Sequence, residues 1–211
     1  QLNGITGKVI VSAEHAENQH GAIKVSSQNA QRFCYEDGTS FFPLAFELDW
    51  LFALDAQNQD DIPRTKSIIS AIKENGFNKV IMNVYAYDAK WCERDKIDPK
   101  YNFSKPEFFP FGGSNQDPDY NTLNVDYFKH LDRVMHHLQQ ENIVSHLMIY
   151  VWNKFVNWPQ PGSEKDNRYF DYVVKRYQAF PNIIWDISKE ALAYGMDDMD
   201  YIVGRIQRLE K

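Results

Sequence analysis

From residue 41 to the end of the chain, apolar segments patterned like strands alternate four times with amphipathic segments patterned like helices. The predicted strands lie at 41–50, 79–88, 144–153 and 181–191. The predicted helices lie at 60–77, 124–143, 164–180 and 196–211. Strands that alternate with helices in this order predict an α/β protein with a parallel sheet.

Local signals mark the ends of these segments. Asp61 is the predicted cap of the first helix, with Pro63 in its first turn and Asn75-Gly76 at its end. Asn124 is the predicted cap of the second helix. The segment 89–120 is rich in aromatic residues, proline and glycine, and we expect an ordered functional loop there.

Residues 1–40 have a different pattern, with short β segments at 7–14, 22–26 and 32–38. Asp37-Gly38 is a hairpin signal. We interpret residues 1–40 as a short β cap or the tail of a preceding β domain, and residues 41–211 as a separate domain.

Two parallel architectures fit this alternation, an open doubly wound sheet and a (β/α)8 TIM barrel. The first strand is followed by LDWLFALDAQN, which has neither a GxGxxG nor a P-loop pattern. Polar and aromatic residues instead gather where strands end, as barrel active sites require. They are Asp49, Trp50, Asn83, Tyr85, Tyr87, Trp152, Asn153, Lys189 and Glu190. The pattern favours the first four βα units of a barrel.

Composition excludes several functions. The net charge is -6 and no long run of Lys or Arg occurs, which argues against a nucleic-acid partner. No run of 18 apolar residues occurs, so no membrane span is expected. Cys34 and Cys92 are interpreted as isolated, buried thiols, and no HExxH-type pair is present, so neither a metal nor another cofactor is expected. The chain opens with Gln1, which suggests a removed signal peptide.

Glu190 is the first candidate for chemistry. It ends the fourth predicted strand, and a carboxylate held among apolar and aromatic neighbours keeps its proton to higher pH, as a general acid must. The alternative is that Glu190 merely caps or precedes the last helix. Asn83 lies in an otherwise apolar strand, where a buried amide must find partners. Aromatic residues make up 15% of the chain, and their flat faces suit sugar rings as well as cores.

Two stretches carry a family resemblance. RFCYEDGTSFFPLAFELDW (32–50) resembles the opening of secreted, mostly bacterial glycoside hydrolases related to apiosidases and endoglycosidases. KRYQAFPNIIWDISKEA (175–191) resembles the fourth-strand signature of the same retaining (β/α)8-barrel superfamily. The resemblance implies an oligo- or polysaccharide substrate, from a plant or host glycan, and a secreted, periplasmic or cell-surface protein.

By the same resemblance, Glu190 is the acid/base, and the nucleophile is a Glu at the end of strand seven, outside this sequence. The implied substrate-binding residues are Asp49, Trp50, Asn83, Tyr85, Trp152, Asn153 and Lys189. Lys189 stands where the family usually has an Asn that contacts the sugar 2-hydroxyl, and Ala45 stands where it has Gly. Only four of eight βα units are present, so the remaining half would come from the rest of the polypeptide or another chain.

Two other functions stay open at this point. A non-catalytic carbohydrate-binding protein on a degenerate glycosidase barrel would account for Lys189. An unrelated α/β enzyme with a switch-point site would require a cofactor signature that the sequence lacks.

Overall fold

A computed structural model of the protein describes residues 6–8, 20–90, 96, 98, 102–196 and 198–210. Its first element is an antiparallel sheet of three short strands, β1 (Ile23–Val25), β2 (Phe33–Tyr35) and β3 (Ser40–Phe41). The predicted hairpin is confirmed: Asp37 Oδ1 accepts the Thr39 amide at 2.8 Å, and Gly38 has a φ of 89°. The predicted β segment at 7–14 lies mostly outside the described residues.

Four parallel strands form the central sheet, in the order β4 (Ala45–Glu47), β5 (Lys79–Asn83), β8 (Val144–Val151) and β9 (Ile183–Lys189). Each strand pairs in parallel with its neighbour in this order. The connecting helices are α1 (Pro63–Glu74), α2 (Val125–Gln140) and α3 (Glu164–Tyr177), and α4 (Met199–Leu209) follows β9. The predicted parallel α/β sheet is confirmed.

Helix α2 illustrates how the apolar pattern builds the core. Its predicted stripe of Phe128, Leu131, Met135 and Leu138 is fully buried. The predicted cap is also confirmed, because the Asn124 side chain accepts the Tyr127 amide at 3.2 Å. Burial of such a stripe supplies most of the stability of a helix in a globular protein.

The start of α1 differs from the prediction. Asp61 does not cap this helix: the residue at the cap position is Ile62, which makes no side-chain cap hydrogen bond. The free amides are instead bound by Asp55, whose Oδ1 accepts the Arg64 amide at 3.2 Å and whose Oδ2 accepts the Thr65 amide at 2.8 Å. A carboxylate eight residues upstream of the helix performs the capping, and that distance in sequence is why the local pattern missed it.

We expect Asp55→Ala to lower the free energy of unfolding by about 1 to 2 kcal/mol, because it frees the first amides of α1. Asp61→Ala should cause a much smaller loss, since Asp61 accepts only the Ile62 amide and pairs with exposed Lys66. Urea unfolding of both variants measures the difference. Equal losses would contradict the assignment of Asp55 as the cap.

The segment predicted as one long loop contains regular structure. Two antiparallel strands begin in its second half, β6 (Phe111–Gly113) and β7 (Pro118–Leu123), and β7 continues past residue 120. Gly113 has a φ of 75°, and a Cβ there would lie 2.2 Å from the Asp117 carbonyl oxygen, so this turn requires glycine. Cys34 is a buried free thiol, and Cys92 lies outside the described residues.

Candidate functional site at the strand ends

The carboxyl ends of the parallel strands bring three polar side chains together around Asp49. Asp49 follows β4, and its Oδ2 lies 2.5 Å from Lys154 Nζ. Its Oδ1 accepts from Asn83 Nδ2 at 3.0 Å and from Lys189 Nζ at 3.2 Å. Asn83 also donates to the Asp49 carbonyl oxygen at 3.2 Å. Asp49 therefore joins the ends of β4, β5 and β9 with the loop after β8.

A second contact of Lys189 shows that the sheet is curved. Its ammonium group also pairs with Glu47 of β4, although β4 and β9 are the outer strands of the four. The strand register places Glu47 level with Ile184, five residues before Lys189. In a flat sheet the two residues would be about 14 Å apart across the strands and about 16 Å apart along them. Side chains cannot span that distance, so twist and curvature bring β4 and β9 together.

The charges of this cluster perturb one another. Burial raises the pKa of Asp49, but the Lys154 and Lys189 ammonium groups outweigh it and hold that pKa below its usual value. Burial lowers the pKa of Lys189, but Glu47 and Asp49 outweigh it and raise that pKa overall. Asp49 and Lys189 are therefore both charged at neutral pH.

These shifts predict a pH dependence of stability. The pKa of Asp49 is depressed on folding, so its stabilising contribution is present above the unfolded value of about 3.8 and is lost as the pH falls through the folded value. Lys189 contributes below its unfolded pKa of about 10.5, and its contribution is lost only above that value. Urea unfolding should give a falling stability below about pH 4. Asp49→Asn should flatten this acid limb, and an unchanged slope would contradict the assignment.

Three buried polar atoms around the cluster have no hydrogen-bond partner among the described residues: Trp50 Nε1, Asn83 Oδ1 and Asn153 Oδ1. Asn83 and Asn153 are almost completely buried. Lys154 Nζ lies 5.0 Å from the centre of the Trp50 ring, which fixes the ring beside Asp49. Buried polar groups are nearly always satisfied, so these three atoms are exceptions within the described part of the chain.

Glu190 directly follows β9 and has a φ of 55°, in the left-handed region that a residue other than glycine rarely adopts. It is exposed, contrary to the expectation that apolar neighbours enclose it, because the outer edge of β9 pairs with no described strand. Among the described residues, its carboxylate has no hydrogen-bond or ion-pair partner. It lines a cavity of about 870 Å³ along this edge, together with Ser188, Leu192, Ile202 and Ile206.

The remaining predicted site residues differ in their placement. Trp152 lies at the carboxyl ends of the strands, and its Nε1 donates to Ser188 Oγ at 2.6 Å. Tyr85 is not brought to the site. The chain turns inward after β5, and the Tyr85 ring is fully buried against Phe52 and Phe109, with centroids 5.3 and 5.2 Å away.

Two residues of the cluster, Glu47 and Lys154, were not predicted. Glu47 lies two residues before Asp49 and so shares its side of the strand, which is a signal that could have found it. Lys154 directly follows the predicted pair Trp152-Asn153, but a lysine after a strand usually reaches solvent. Here its side chain is buried, and its carbonyl oxygen accepts the Asp88 amide at 2.8 Å.

A second polar pair lies lower in the sheet. His146 Nε2 of β8 lies 3.0 Å from Asp186 Oδ2 of β9. The hydrogen bond with His146 is the main reason why the pKa of Asp186 lies below its usual value. Within the described residues, no group of three or more His, Cys, Asp or Glu side chains could hold a metal ion. No described helix combines the length and apolar character needed to cross a bilayer.

Comparisons with solved structures identify glycoside hydrolases. A putative glycoside hydrolase from Bacteroides vulgatus superposes with a TM-score of 0.72 at 19% identity, over 93% of this chain and 37% of that one. A glycoside hydrolase family 5 protein from the same species gives 0.55 at 19% identity, over 91% and 38%. A third structure, described as a glycoside hydrolase, gives 0.56 at 16%, over 90% and 39%. These likenesses establish the fold, and the chain spans less than two fifths of each structure.

A search of curated proteins finds no match. A family model does match, over residues 27–208, and it describes the apiosidase-like catalytic domain. This range includes both stretches of sequence that resemble the family, the whole parallel sheet and the Asp49 cluster. The chain therefore belongs to the apiosidase-like catalytic-domain family.

Proposed function

We propose that this chain is the first half of a (β/α)8-barrel glycoside hydrolase that cleaves O-glycosidic bonds with retention of configuration. The observation that carries the proposal is an unpaired carboxylate, Glu190, at the end of a parallel strand whose preceding residue, Lys189, joins the Asp49 cluster. The curvature of the sheet supports the barrel. Membership of the apiosidase-like family supports the reaction.

In this proposal Glu190 acts as the general acid in the first step and as the general base in the second. It first donates a proton to the glycosidic oxygen as the leaving group departs, and it then removes a proton from the water that hydrolyses the glycosyl-enzyme intermediate. The nucleophile is a second carboxylate from the seventh strand, about 5 to 5.5 Å from Glu190, as retaining enzymes require. The exposure of Glu190 leaves it accessible to a glycosidic oxygen.

The site would bind an oligo- or polysaccharide from a plant or host glycan. The sugar would lie at the strand ends, where Trp50 and Asn83 lie beside Asp49 and Asn153 follows β8. The Trp152 ring lies at the same strand ends and would contact the sugar. We further propose a bacterial protein that is secreted, periplasmic or at the cell surface, where such a polysaccharide is degraded.

The barrel needs a further half. Strands β4 and β9 each pair with one neighbour only in the described sheet, and such edges are rarely left open. We propose that the rest of the polypeptide, or another chain, supplies four more βα units. Residues 1–40 would form a separate β unit ahead of the barrel.

Product analysis of the full-length polypeptide tests this function. We expect release of sugar from aryl glycosides and from plant polysaccharides, with the anomeric configuration of the first product retained in NMR spectra. An inverted first product would exclude the double-displacement mechanism. Absence of hydrolysis across the panel would exclude the enzyme.

One observation favours a second function, a non-catalytic carbohydrate-binding protein. Lys189 is bound by both Glu47 and Asp49, so it is built into the cluster and is not free to replace an amide that contacts a sugar hydroxyl. Calorimetry separates the two functions. Heat of sugar binding without any hydrolysis would support the binding protein.

A further inference from the structure

The backbone conformation of Glu190 is imposed by its neighbours in the chain. Its φ of 55° lies in the left-handed region, and a glutamate stays there only where the surrounding structure enforces it. On one side, the Met196 amide donates to the Ala191 carbonyl oxygen at 2.9 Å. On the other side, Ser188 and Lys189 are both held by side chains. These flanking contacts therefore decide where the Glu190 carboxylate lies.

Ser188 is held at two of its atoms. Its hydroxyl oxygen accepts from Trp152 Nε1 at 2.6 Å, and its amide donates to Asp186 Oδ1 at 2.9 Å. The Lys189 carbonyl oxygen accepts the Trp152 amide, so Lys189 turns its backbone groups toward β8 and Ser188 turns its own toward the outer edge of β9. No described strand pairs with that edge. The Asp186 carboxylate thus binds an amide that would otherwise lack a partner in the described sheet.

Asp186 is itself held from the neighbouring strand. Its Oδ2 lies 3.0 Å from His146 Nε2 of β8, which leaves Oδ1 for the Ser188 amide. Lys189, the one residue between Ser188 and Glu190, is bound to Asp49. A continuous series of contacts therefore leads from β8 through Asp186 to the residues that precede Glu190.

We propose that Asp186 is a positioning residue for Glu190. By binding the Ser188 amide it fixes the end of β9, and it thereby sets where Glu190 presents its proton. Asp186 acts through the strand and is not itself the acid. The inference rests on the proposed hydrolase function and adds a residue to it. A displacement of about 1 Å at a catalytic group is enough to lower a rate by about 10²-fold.

The dependence of kcat/KM on the leaving group, measured with the full-length polypeptide, tests this role. We expect Asp186→Ala to lower kcat/KM by about 10- to 100-fold for glycosides whose leaving groups have a high pKa. Dinitrophenyl glycosides should lose little, because their leaving group departs without the proton. Asp186→Asn should restore most of the activity, since an amide oxygen also accepts the Ser188 amide. His146→Ala is a milder second variant and should cause a loss of about threefold with the same dependence on the leaving group.

Asp132→Ala is the matched control. The Asp132 and Asp186 side chains are both about one-third exposed, and Asp132 pairs with Arg176 between α2 and α3, away from the strand ends. Its removal should lower stability and leave the leaving-group dependence unchanged. The same unchanged dependence in Asp186→Ala and His146→Ala would overturn the inference while Glu190 remains the acid. A loss in Asp186→Asn as large as in Asp186→Ala would also overturn it. Absence of hydrolysis by the unmodified polypeptide would overturn the proposed function, and this inference with it.

Discussion

Glu190→Gln in the full-length enzyme is expected to lower kcat by about 10²- to 10⁴-fold, the usual contribution of general acid and base catalysis. Glutamine keeps the size of the side chain but cannot transfer a proton. The loss in kcat/KM, which reports the first step, should be largest for leaving groups of high pKa. It should be small for dinitrophenyl glycosides, whose dinitrophenolate departs without protonation. Sugar binding measured by calorimetry should persist.

Glu164→Gln is a suitable control because Glu164 is exposed in the first turn of α3. It should retain full turnover. Unchanged turnover in Glu190→Gln would remove Glu190 from the mechanism. A loss in kcat/KM of equal size for all leaving groups would assign Glu190 a role other than proton transfer in the first step.

Asp49→Asn is expected to have the largest effect on stability, a loss of about 3 kcal/mol in the free energy of unfolding. The carboxylate compensates the buried Lys154 ammonium group and accepts from Lys189 and Asn83. Its removal takes the counter-charge at 2.5 Å away from the buried Lys154 ammonium group, which costs far more than the loss of a surface ion pair. Urea denaturation at neutral pH measures the loss.

The double variant Asp49→Asn/Lys154→Met should recover much of this loss, because the uncompensated charge is removed as well. Asp126→Asn is the surface control. Asp126 pairs with Lys129 at 3.1 Å, both side chains are largely exposed, and stability should change little. A double variant no more stable than Asp49→Asn alone would contradict the electrostatic explanation.

The regular part of the fold was predictable because periodicity encodes burial directly. The apolar stripe of α2 and its cap at Asn124 follow from residues three and four apart, and both are confirmed. The cap of α1 was not predictable in the same way, since Asp55 reaches the helix from outside its local sequence. The hairpin of β6 and β7 was missed because aromatic and polar residues without clear alternation fill the segment.

The sequence predicts which residues lie at the strand ends, but it does not predict which of them pair with one another. Asp49, Asn83 and Lys189 were named as rim residues, and the structure brings them together. The placement of Tyr85 does not follow from the strand pattern. Its position after β5 predicts a place at the strand ends. The chain instead turns inward there, and the Tyr85 ring is buried against Phe52 and Phe109. The contacts of Glu47 and Lys154 depend on sheet curvature, which no local pattern records.

The pairing of Lys189 with Glu47 joins residues 142 positions apart in the chain. During synthesis, Glu47 at the end of the first parallel strand cannot pair until Lys189 has been made, near the end of the described polypeptide. The loop-closure entropy of so distant a contact makes it a late event in folding. Helices and adjacent strands can assemble earlier, whereas the contact between the first and fourth parallel strands is completed last.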